Sequence, residues 1–365
     1  MSPPQSTATT KSGFSLGYRS ELDGLRGISI LLVLGLHFVP RLFPGGYFGV
    51  DIFFVLSGFL ITSLLLQEWS TRNSINLKDF YIRRALRLGP ALGVYLLALG
   101  AYAFIFLTRQ SAHEVYTGIL WTLSYVSNWV MALKPNQPLS ILAITWSLAI
   151  EEQFYLMWPL LLTGLLAAKL QRRSILIALA LGVVFVAVYR VLLWHAGASP
   201  RRLYYGTDTH ADGLLLGCLI GCLVSWGRIP QSKTIGRIVN SLALISFLFI
   251  GYLVATTTSH DPILYRGLFS LASLAIATML LALLKYPAAL ATMILRFRPL
   301  VWVGRISYGL YLWHWPVRGL VFGKSVQPSI KQIMGAIVLS FTVTALSFYV
   351  IEQPFLRWKK RFSHA

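Results

Sequence analysis

Long blocks of apolar residues, separated by short polar segments, dominate the chain. Ten blocks are long enough to span about 30 Å of hydrocarbon as helices. They cover approximately residues 22–42, 47–66, 88–107, 145–168, 175–193, 213–226, 239–256, 263–284, 300–321 and 330–351. Ser, Asn and Thr interrupt a further stretch, 115–133, which we interpret as a re-entrant or interfacial segment buried against protein. The pattern predicts an all-α, polytopic membrane protein with about ten transmembrane helices.

The composition excludes a soluble globular protein. Hydrophobic residues make up 56% of the 365 residues and charged residues only 12%, about half the charged share of an ordinary soluble chain. The mean hydropathy is +0.66. So few charges could not cover the surface of a soluble protein of this size.

The remaining charge is strongly basic, with 32 Lys and Arg against 12 Asp and Glu. Nucleic-acid binding is one interpretation of this excess. However, the basic residues lie in short segments between apolar blocks, and most fall on one side if the N-terminus is cytoplasmic. The positive-inside rule therefore predicts that both termini are cytoplasmic. The expected partner is the lipid bilayer, not nucleic acid.

The chain is predicted to form one transmembrane domain, residues 19–356. It lies between a disordered cytoplasmic tail, 1–18, and a basic cytoplasmic tail, 357–365. The first apolar block lacks a small-residue cleavage site, so we interpret it as a retained helix. Cys218 and Cys222, four residues apart in one apolar block, fit small packing residues better than a disulfide framework. No internal repeat indicates the inverted halves of many transporters.

Ionisable residues inside apolar blocks are the first candidates for function, because burying them in a membrane is costly. Arg26 and His37 are eleven residues apart in the first block, about 16 Å along a helix. With Arg26 at the cytoplasmic edge, His37 is expected near mid-membrane. A neutral imidazole there could act as a general base, or it could simply hydrogen-bond a neighbouring helix.

The second block begins with the segment 50–58, VDIFFVLSG. Asp51, near its outer end, needs a cationic or hydrogen-bonding partner, and Arg26 or His37 could serve. Ser57 and Gly58 would permit the close approach of another helix or of a narrow ligand. The sixth block is short and carries acidic residues at its start, so we expect it to face a cavity.

Arg83, Arg84 and Arg87 fall on adjacent faces of one helical turn at the predicted cytoplasmic boundary. Such a cluster suits phosphate groups, because each guanidinium is permanently charged and can bind two oxygens at once. The alternative is a cluster that sets the topology and contacts anionic lipid headgroups.

Acidic and histidine residues cluster at the predicted outer ends of other blocks. Glu151 and Glu152 point about 100° apart on a helix, so one can face the interior while the other faces the interface. Asp208, His210 and Asp212 could resemble metal ligands, but no further His or Cys lies nearby in sequence, and we expect no metal.

His314 is flanked by aromatic residues in the ninth block. That setting suits a stacking or carbohydrate-facing surface as well as plain packing. The chain has no nucleophile elbow, phosphate-binding loop, CxxC or HExxH pattern in a plausible context.

Six separated motifs together resemble acyltransferase family 3, the integral-membrane O-acyltransferases of cell envelopes and of some antibiotic pathways. The motifs are Arg26-x10-His37, 50–58 (VDIFFVLSG), Arg83-Arg84-x-x-Arg87, 146–155, 307–316 and 351–355. The resemblance extends over about residues 21–357. Each motif alone is weak, but the set in this order and spacing is specific.

The resemblance implies ten core helices, both termini in the cytoplasm, and a place in the bacterial cytoplasmic (inner) membrane. It implies a cytoplasmic acyl donor, usually acetyl-CoA, and an acceptor hydroxyl at or beyond the outer leaflet. The acceptor would be a cell-envelope glycan or another exported glycoconjugate, or alternatively a macrolide-like secondary metabolite. Some relatives carry an added extracytoplasmic esterase-like domain, and we interpret this chain as the stand-alone form.

The resemblance also assigns roles to residues. His37 matches the family's essential histidine and Arg26 its companion. Glu151, rather than Glu152, matches the glutamate of the WSLxxE motif. We expect Glu151 or Asp51 to stabilise the imidazolium form of His37.

The remaining assignments concern the donor and the acceptor. Arg83, Arg84 and Arg87 match a cluster thought to hold the coenzyme, and we add Ser57 to that donor-binding set. We place acceptor binding at residues near the outer surface, namely Asp208, His210, Asp212 and His314. His210 stands where the family has Arg in a D-T-R-A-D pattern, which we interpret as the mark of a different acceptor.

Two other classes of protein compete with the enzyme hypothesis. A proton-coupled transporter or flippase would use intramembrane His, Asp and Arg as a proton relay, although it would favour an internal repeat and broken helices. A scaffold without enzymatic activity is the third possibility, but it does not explain why Arg26, His37 and Asp51 lie within apolar blocks.

Overall fold

The computed structural model describes residues 15–134, 140–323, 325 and 327–359. Within these ranges the regular structure is helical and no strand occurs, which confirms the predicted all-α class. Most of the two predicted tails, residues 1–14 and 360–365, lies outside the described residues.

The helices follow the apolar blocks of the sequence. In the first half they are α1 (Ser20–Phe38), α2 (Phe48–Arg72), α3 (Leu77–Phe106), α4 (Arg109–Leu123), α5 (Ser127–Leu133), α6 (Thr145–Ala167) and α7 (Arg172–His195). In the second half they are α8 (Pro200–Tyr205), α9 (Thr207–His210), α10 (Asp212–Ser225), α11 (Lys233–Thr256), α12 (Phe269–Lys285), α13 (Ala289–Leu295), α14 (Arg298–Arg305), α15 (Ser307–Phe322), α16 (Ile330–Ser347) and α17 (Gln353–Lys359). A 3₁₀ turn occupies Ser140–Leu142, and π-helical turns occupy Leu264–Leu268 and Phe348–Glu352.

Six helices in the described residues are long and apolar enough to cross a membrane. They are Phe48–Arg72, Leu77–Phe106, Arg172–His195, Lys233–Thr256, Leu264–Lys285 and Ile330–Trp358. The chain is therefore a helical membrane protein. The other four predicted spans coincide with α1, α6, α10 and α15, which are shorter or carry several ionisable side chains. The number of crossings and the sides of the termini stay predictions.

The predicted ninth span, 300–321, is two helices rather than one. The chain bends at Ile306, between α14 and α15. A Cβ added at Gly304 would overlap the carbonyl oxygen of Asp23, so α14 packs backbone to backbone on α1. The bend allows this packing while Ser307 and Tyr308, at the start of α15, reach the central cavity described below.

The broken stretch 115–133 forms α4, α5 and a turn at Tyr125, whose φ is +53°. Two of its polar side chains are hydrogen-bonded inside the protein. Ser127 donates to the carbonyl of Thr145 at 3.1 Å, and Asn128 Nδ2 donates to the carbonyl of Tyr205 at 3.0 Å. Both side chains are buried, so α5 packs against protein as expected, whereas Leu120 and Leu123 of α4 are more than half exposed. The depth of the segment in the membrane stays a prediction.

Close packing of α2 on α10 forms the centre of the bundle. A Cβ at Gly58 would overlap the carbonyl oxygen of Leu214, and one at Gly217 would overlap that of Val55. The predicted close approach at Gly58 is therefore confirmed. The expectation that the sixth span faces a cavity is wrong, because α10 is buried against α2. Cys218 and Cys222 lie on α10, both free and buried, as predicted for packing residues.

Candidate active site

A long cavity of about 420 Å³ lies between α1, α2, α3, α6 and α15. One face of α2 lines it from Val50 to Arg72. This distance corresponds to about 33 Å of helix at 1.5 Å per residue. Ser57 lies on this face of α2 and lines the cavity, whereas the adjacent Gly58 packs against α10. A cavity of this shape suits a long, thin ligand.

The arginine cluster of α3 lies on the wall of this cavity. All three residues, Arg83, Arg84 and Arg87, are among the lining residues. Arg83 forms an ion pair with Glu68 at 3.2 Å. The guanidinium of Arg84 lies 3.5 Å from the ring centre of Tyr155, and its Nε is buried without a hydrogen-bond partner in the described part of the chain.

Arg26 brings a further guanidinium to the cavity from α1. Its Nη2 donates to Ser307 Oγ at 3.2 Å, while its Nε is buried and makes no hydrogen bond to any described residue. Arg26, Arg84 and Arg87 are close enough to repel one another. Concentrated positive charge with unused N–H groups is an arrangement that binds anionic groups such as phosphates.

A short hydrogen-bond chain on the cavity wall connects α6 to α2. Tyr155 Oη donates to Ser57 Oγ at 2.8 Å, and Ser57 Oγ donates to Glu151 Oε1 at 2.5 Å. Ser147, Glu151 and Tyr155 recur every four residues, so they share one face of α6 and all line the cavity. Glu152 is not among the lining residues. The two adjacent carboxylates therefore point to different surroundings, as the helical pattern predicts.

A histidine pair connects α1 to α15. His37 Nδ1 lies 2.9 Å from His314 Nε2, and the two rings stack with their centres 5.0 Å apart. His314 Nδ1 lies 3.0 Å from the carbonyl oxygen of Leu310, which can only accept a hydrogen bond. In a neutral His314 the hydrogen is therefore on Nδ1, and Nε2 accepts from Nδ1–H of His37. This leaves Nε2 of neutral His37 with a free lone pair.

The histidine pair lies just beyond the residues that line the cavity. Tyr311 lines the cavity, and its ring centre is 5.7 Å from that of His314. Helix α1 ends at Phe38, earlier than the predicted span, so His37 lies in its last turn and not in the middle of the helix. Its membrane depth is a prediction that depends on the topology.

Asp51 has a partner that the sequence did not indicate. Its Oδ1 lies 3.0 Å from His210 Nε2, and both side chains are buried. The expected pairing of Asp51 with Arg26 or His37 is wrong. His210 Nδ1 donates to the carbonyl of Tyr204 at 2.6 Å, so one proton is held between Asp51 and His210 Nε2. Neither Asp51 nor Glu151 is hydrogen-bonded to His37, whose Nδ1 pairs with His314.

Asp208 and Asp212 are tied to separate arginines. Asp208 forms a bidentate ion pair with Arg202, at 2.9 and 2.5 Å, and this hydrogen bonding raises the pKa of Arg202. Asp212 pairs with Arg190 at 2.8 Å and accepts from Ser270 at 2.7 Å. The residues predicted to bind the acceptor thus do not converge on one pocket. The described residues contain no cluster of three or more possible metal ligands.

Sequence reasoning missed several residues of the cavity wall. Tyr155 and Ser147 share the i, i+4 spacing of Glu151, and Tyr308 and Tyr311 share the i, i+3 spacing of one face of α15. That periodicity was present in motifs already singled out. It could have extended the candidate set from the ionisable residues to their hydroxyl-bearing neighbours.

The profile of a family described as an acyltransferase domain, Acyl_transf_3, matches residues 19–352. The peptidoglycan O-acetyltransferase OatA of Listeria monocytogenes is 36% identical over 355 residues, which cover 93% of this chain and 56% of that protein. The putative peptidoglycan O-acetyltransferase YrhL of Bacillus subtilis is 36% identical, covering 92% of this chain and 55% of that protein.

A putative O-acetyltransferase of Staphylococcus aureus (strain MRSA252) is 33% identical, covering 94% of this chain and 59% of that protein. The chain thus spans little more than half the length of these curated relatives. No solved structure matches it. The profile match over most of the chain and these similarities show that the chain belongs to acyltransferase family 3.

Proposed function

We propose that this chain is an O-acetyltransferase of the bacterial cytoplasmic membrane. It would transfer acetyl from cytoplasmic acetyl-CoA to a hydroxyl of a cell-envelope glycan, with peptidoglycan as the first candidate. Membership of the family supports acyl transfer, and the names of similar proteins support the acceptor class. The observation that carries the proposal is a long cavity with arginines on its wall that ends beside a histidine pair.

The cavity fits the shape and charge of an acyl-CoA. Such a donor has phosphates at one end, a thin flexible arm, and a thioester at the other end. Arg84 and Arg87 would hold the phosphates, because Arg84 has an unused buried N–H and Arg87 lies beside it. The apolar wall of α2 between Ser57 and the histidine pair, at Val50, Phe53 and Phe54, would accompany the arm. The Ser57–Glu151–Tyr155 chain lies along the same path.

His37 would act as the general base. Acetyl-CoA would supply the acetyl group as an activated thioester. His37 Nε2 would accept the proton of the acceptor hydroxyl, whose oxygen bonds to the acyl carbon while the carbon–sulfur bond breaks. The proton then passes to the departing sulfur. His314 would hold His37 in the required tautomer and share the positive charge that develops on it.

The contacts of Glu151 support a different role from the stabilisation of His37 that the sequence predicted. Its carboxylate accepts from Ser57 inside the donor cavity, which supports a role in orienting the donor and not in stabilising His37 directly. Arg26, held by Ser307 on the same cavity wall, would add positive charge for the donor or for a developing oxyanion.

The experiment is acetyl transfer in proteoliposomes. Purified protein is given acetyl-CoA with a radiolabelled acetyl group and soluble peptidoglycan fragments. We expect label in the fragments as an ester that mild base releases. If acetyl-CoA is consumed only in the presence of other hydroxyl compounds, the glycan acceptor is wrong. If no acceptor is labelled by folded protein, the acyltransferase proposal itself is contradicted.

A further inference from the structure

Tyr311 stands between the donor cavity and the histidine pair. It lines the cavity, yet only 7% of its surface is exposed. Its ring centre is 5.7 Å from that of His314, which in turn stacks on His37 at 5.0 Å. The ring of Tyr311 therefore lies on the direct line of contacts from the cavity wall through His314 to His37.

Two hydrogen bonds fix the hydroxyl of Tyr311. It lies 2.9 Å from the carbonyl oxygen of Ile144 and 2.6 Å from Ser147 Oγ. The hydroxyl has one hydrogen and a carbonyl can only accept, so Tyr311 donates to Ile144 and Ser147 donates to Tyr311. These two bonds connect the Tyr311 side chain, on α15, to the start of α6. Moving the ring breaks both bonds and leaves buried polar groups unpaired.

A second aromatic ring on the cavity wall, that of Phe54, has different neighbours. Phe54 also lines the cavity, but its ring packs edge-on against His210 at 5.6 Å and against Trp146 at 6.3 Å. Phe54 therefore separates the cavity from the buried Asp51–His210 pair. Of the two rings, Tyr311 is the one that contacts the histidine pair.

We propose that Tyr311, fixed by Ile144 and Ser147, limits the size of the acyl group that the protein transfers. The inference rests on the proposed acyltransferase function and names the residue that sets its donor specificity. An acetyl group is short enough to lie against the fixed ring. Each further methylene would have to displace the ring, and one methylene too many in a closed pocket costs about 10- to 200-fold in specificity.

The test compares acyl-CoA donors of increasing length. The full chain in lipid nanodiscs receives acetyl-, propionyl- or butyryl-CoA with peptidoglycan fragments, and released coenzyme A is measured. Tyr311→Ala should raise the ratio of butyryl to acetyl turnover at least about 10-fold. Tyr311→Phe, which keeps the ring but loses both hydrogen bonds, should raise it less. Tyr308→Ala is the matched control, since Tyr308 lines the cavity one turn away, and its ratio should stay that of wild type.

The outcomes separate this inference from the function on which it rests. If the wild type is active and a folded Tyr311 variant has the same ratio of butyryl to acetyl turnover, the proposed role of Tyr311 is contradicted. The proposed acyltransferase function is then unaffected. The same rise in Tyr308→Ala also contradicts the role of Tyr311, because the effect would then come from cavity volume in general. A folded wild type that uses none of the three donors contradicts the proposed function and this inference with it.

Discussion

His37 Nδ1 lies 2.9 Å from His314 Nε2, and His314 Nδ1 lies 3.0 Å from the carbonyl oxygen of Leu310. The backbone carbonyl fixes the tautomer of His314, and His314 fixes that of His37. The nitrogen of His37 that remains free is therefore Nε2. Residues 277 positions apart in the sequence thus prepare one nitrogen as a base.

Replacing His314 should impair turnover without weakening donor binding. His314→Phe removes the acceptor for His37 Nδ1–H, and the loss of one buried hydrogen bond costs about 1–3 kcal/mol. We expect a roughly 10- to 100-fold fall in kcat with little change in KM for acetyl-CoA. His314→Gln can still accept from His37 and should recover part of the activity. Equal losses in both variants would contradict the tautomer argument.

Glu151 and its neighbour Glu152 provide a matched pair of variants. Glu151→Gln weakens a charge-assisted hydrogen bond from Ser57, which is worth about 1.5–3 kcal/mol. We expect a roughly 10-fold or larger loss of acetyl-CoA turnover, measured by steady-state kinetics. Glu152 is not among the residues that line the cavity, so Glu152→Gln should stay near wild type. The opposite order of effects would mean that the wrong carboxylate has been assigned.

The arginines on the cavity wall should determine the affinity for the donor. Arg87→Ala removes a cavity charge near Arg26 and Arg84. We expect KM for acetyl-CoA to rise about 10-fold, because a hydrogen bond to a charged group contributes about 1.5–3 kcal/mol. Arg173→Ala is the control, since Arg173 is an exposed residue of α7 away from the cavity. An unchanged KM in Arg87→Ala would favour a role in topology or lipid contact.

Asp212 should affect stability and not acceptor binding. It forms a 2.8 Å ion pair with Arg190, and both side chains are at most 1% exposed. Removing one partner of a buried pair leaves an uncompensated charge and costs about 3–5 kcal/mol. Asp212→Leu and Arg190→Met should each lower the thermal unfolding temperature in detergent strongly. The double variant should be more stable than either single variant; a double variant that is less stable than both contradicts this structural role.

The sequence predicted those parts of the site that follow from helical periodicity. Arg83, Arg84 and Arg87 lie within one turn of α3, so any helix brings them together. The different directions of Glu151 and Glu152 follow from the rotation of 100° per residue in an α-helix. Glu151 meets Ser57 across 94 positions, a pairing that needed the packing of α6 on α2.

Long-range partners were beyond the reach of the sequence. Asp51 required a partner, but the choice of His210, 159 residues away, depends on how α9 lies against α2. The sequence did not predict the bend at Ile306 either, because residues 300–321 form one continuous apolar block. The bend accompanies the contact of α14 with α1 at Gly304, which no local pattern specifies.

The most direct test of the account separates donor binding from transfer. Purified protein in nanodiscs is given radiolabelled acetyl-CoA, and binding and turnover are measured for wild type, His37→Ala and the double variant Arg84→Ala/Arg87→Ala. We predict that His37→Ala binds the donor like wild type but transfers no acetyl, and that the arginine variant loses binding. Full acetyl transfer by folded His37→Ala, or normal donor binding by the arginine variant, would contradict the central claim.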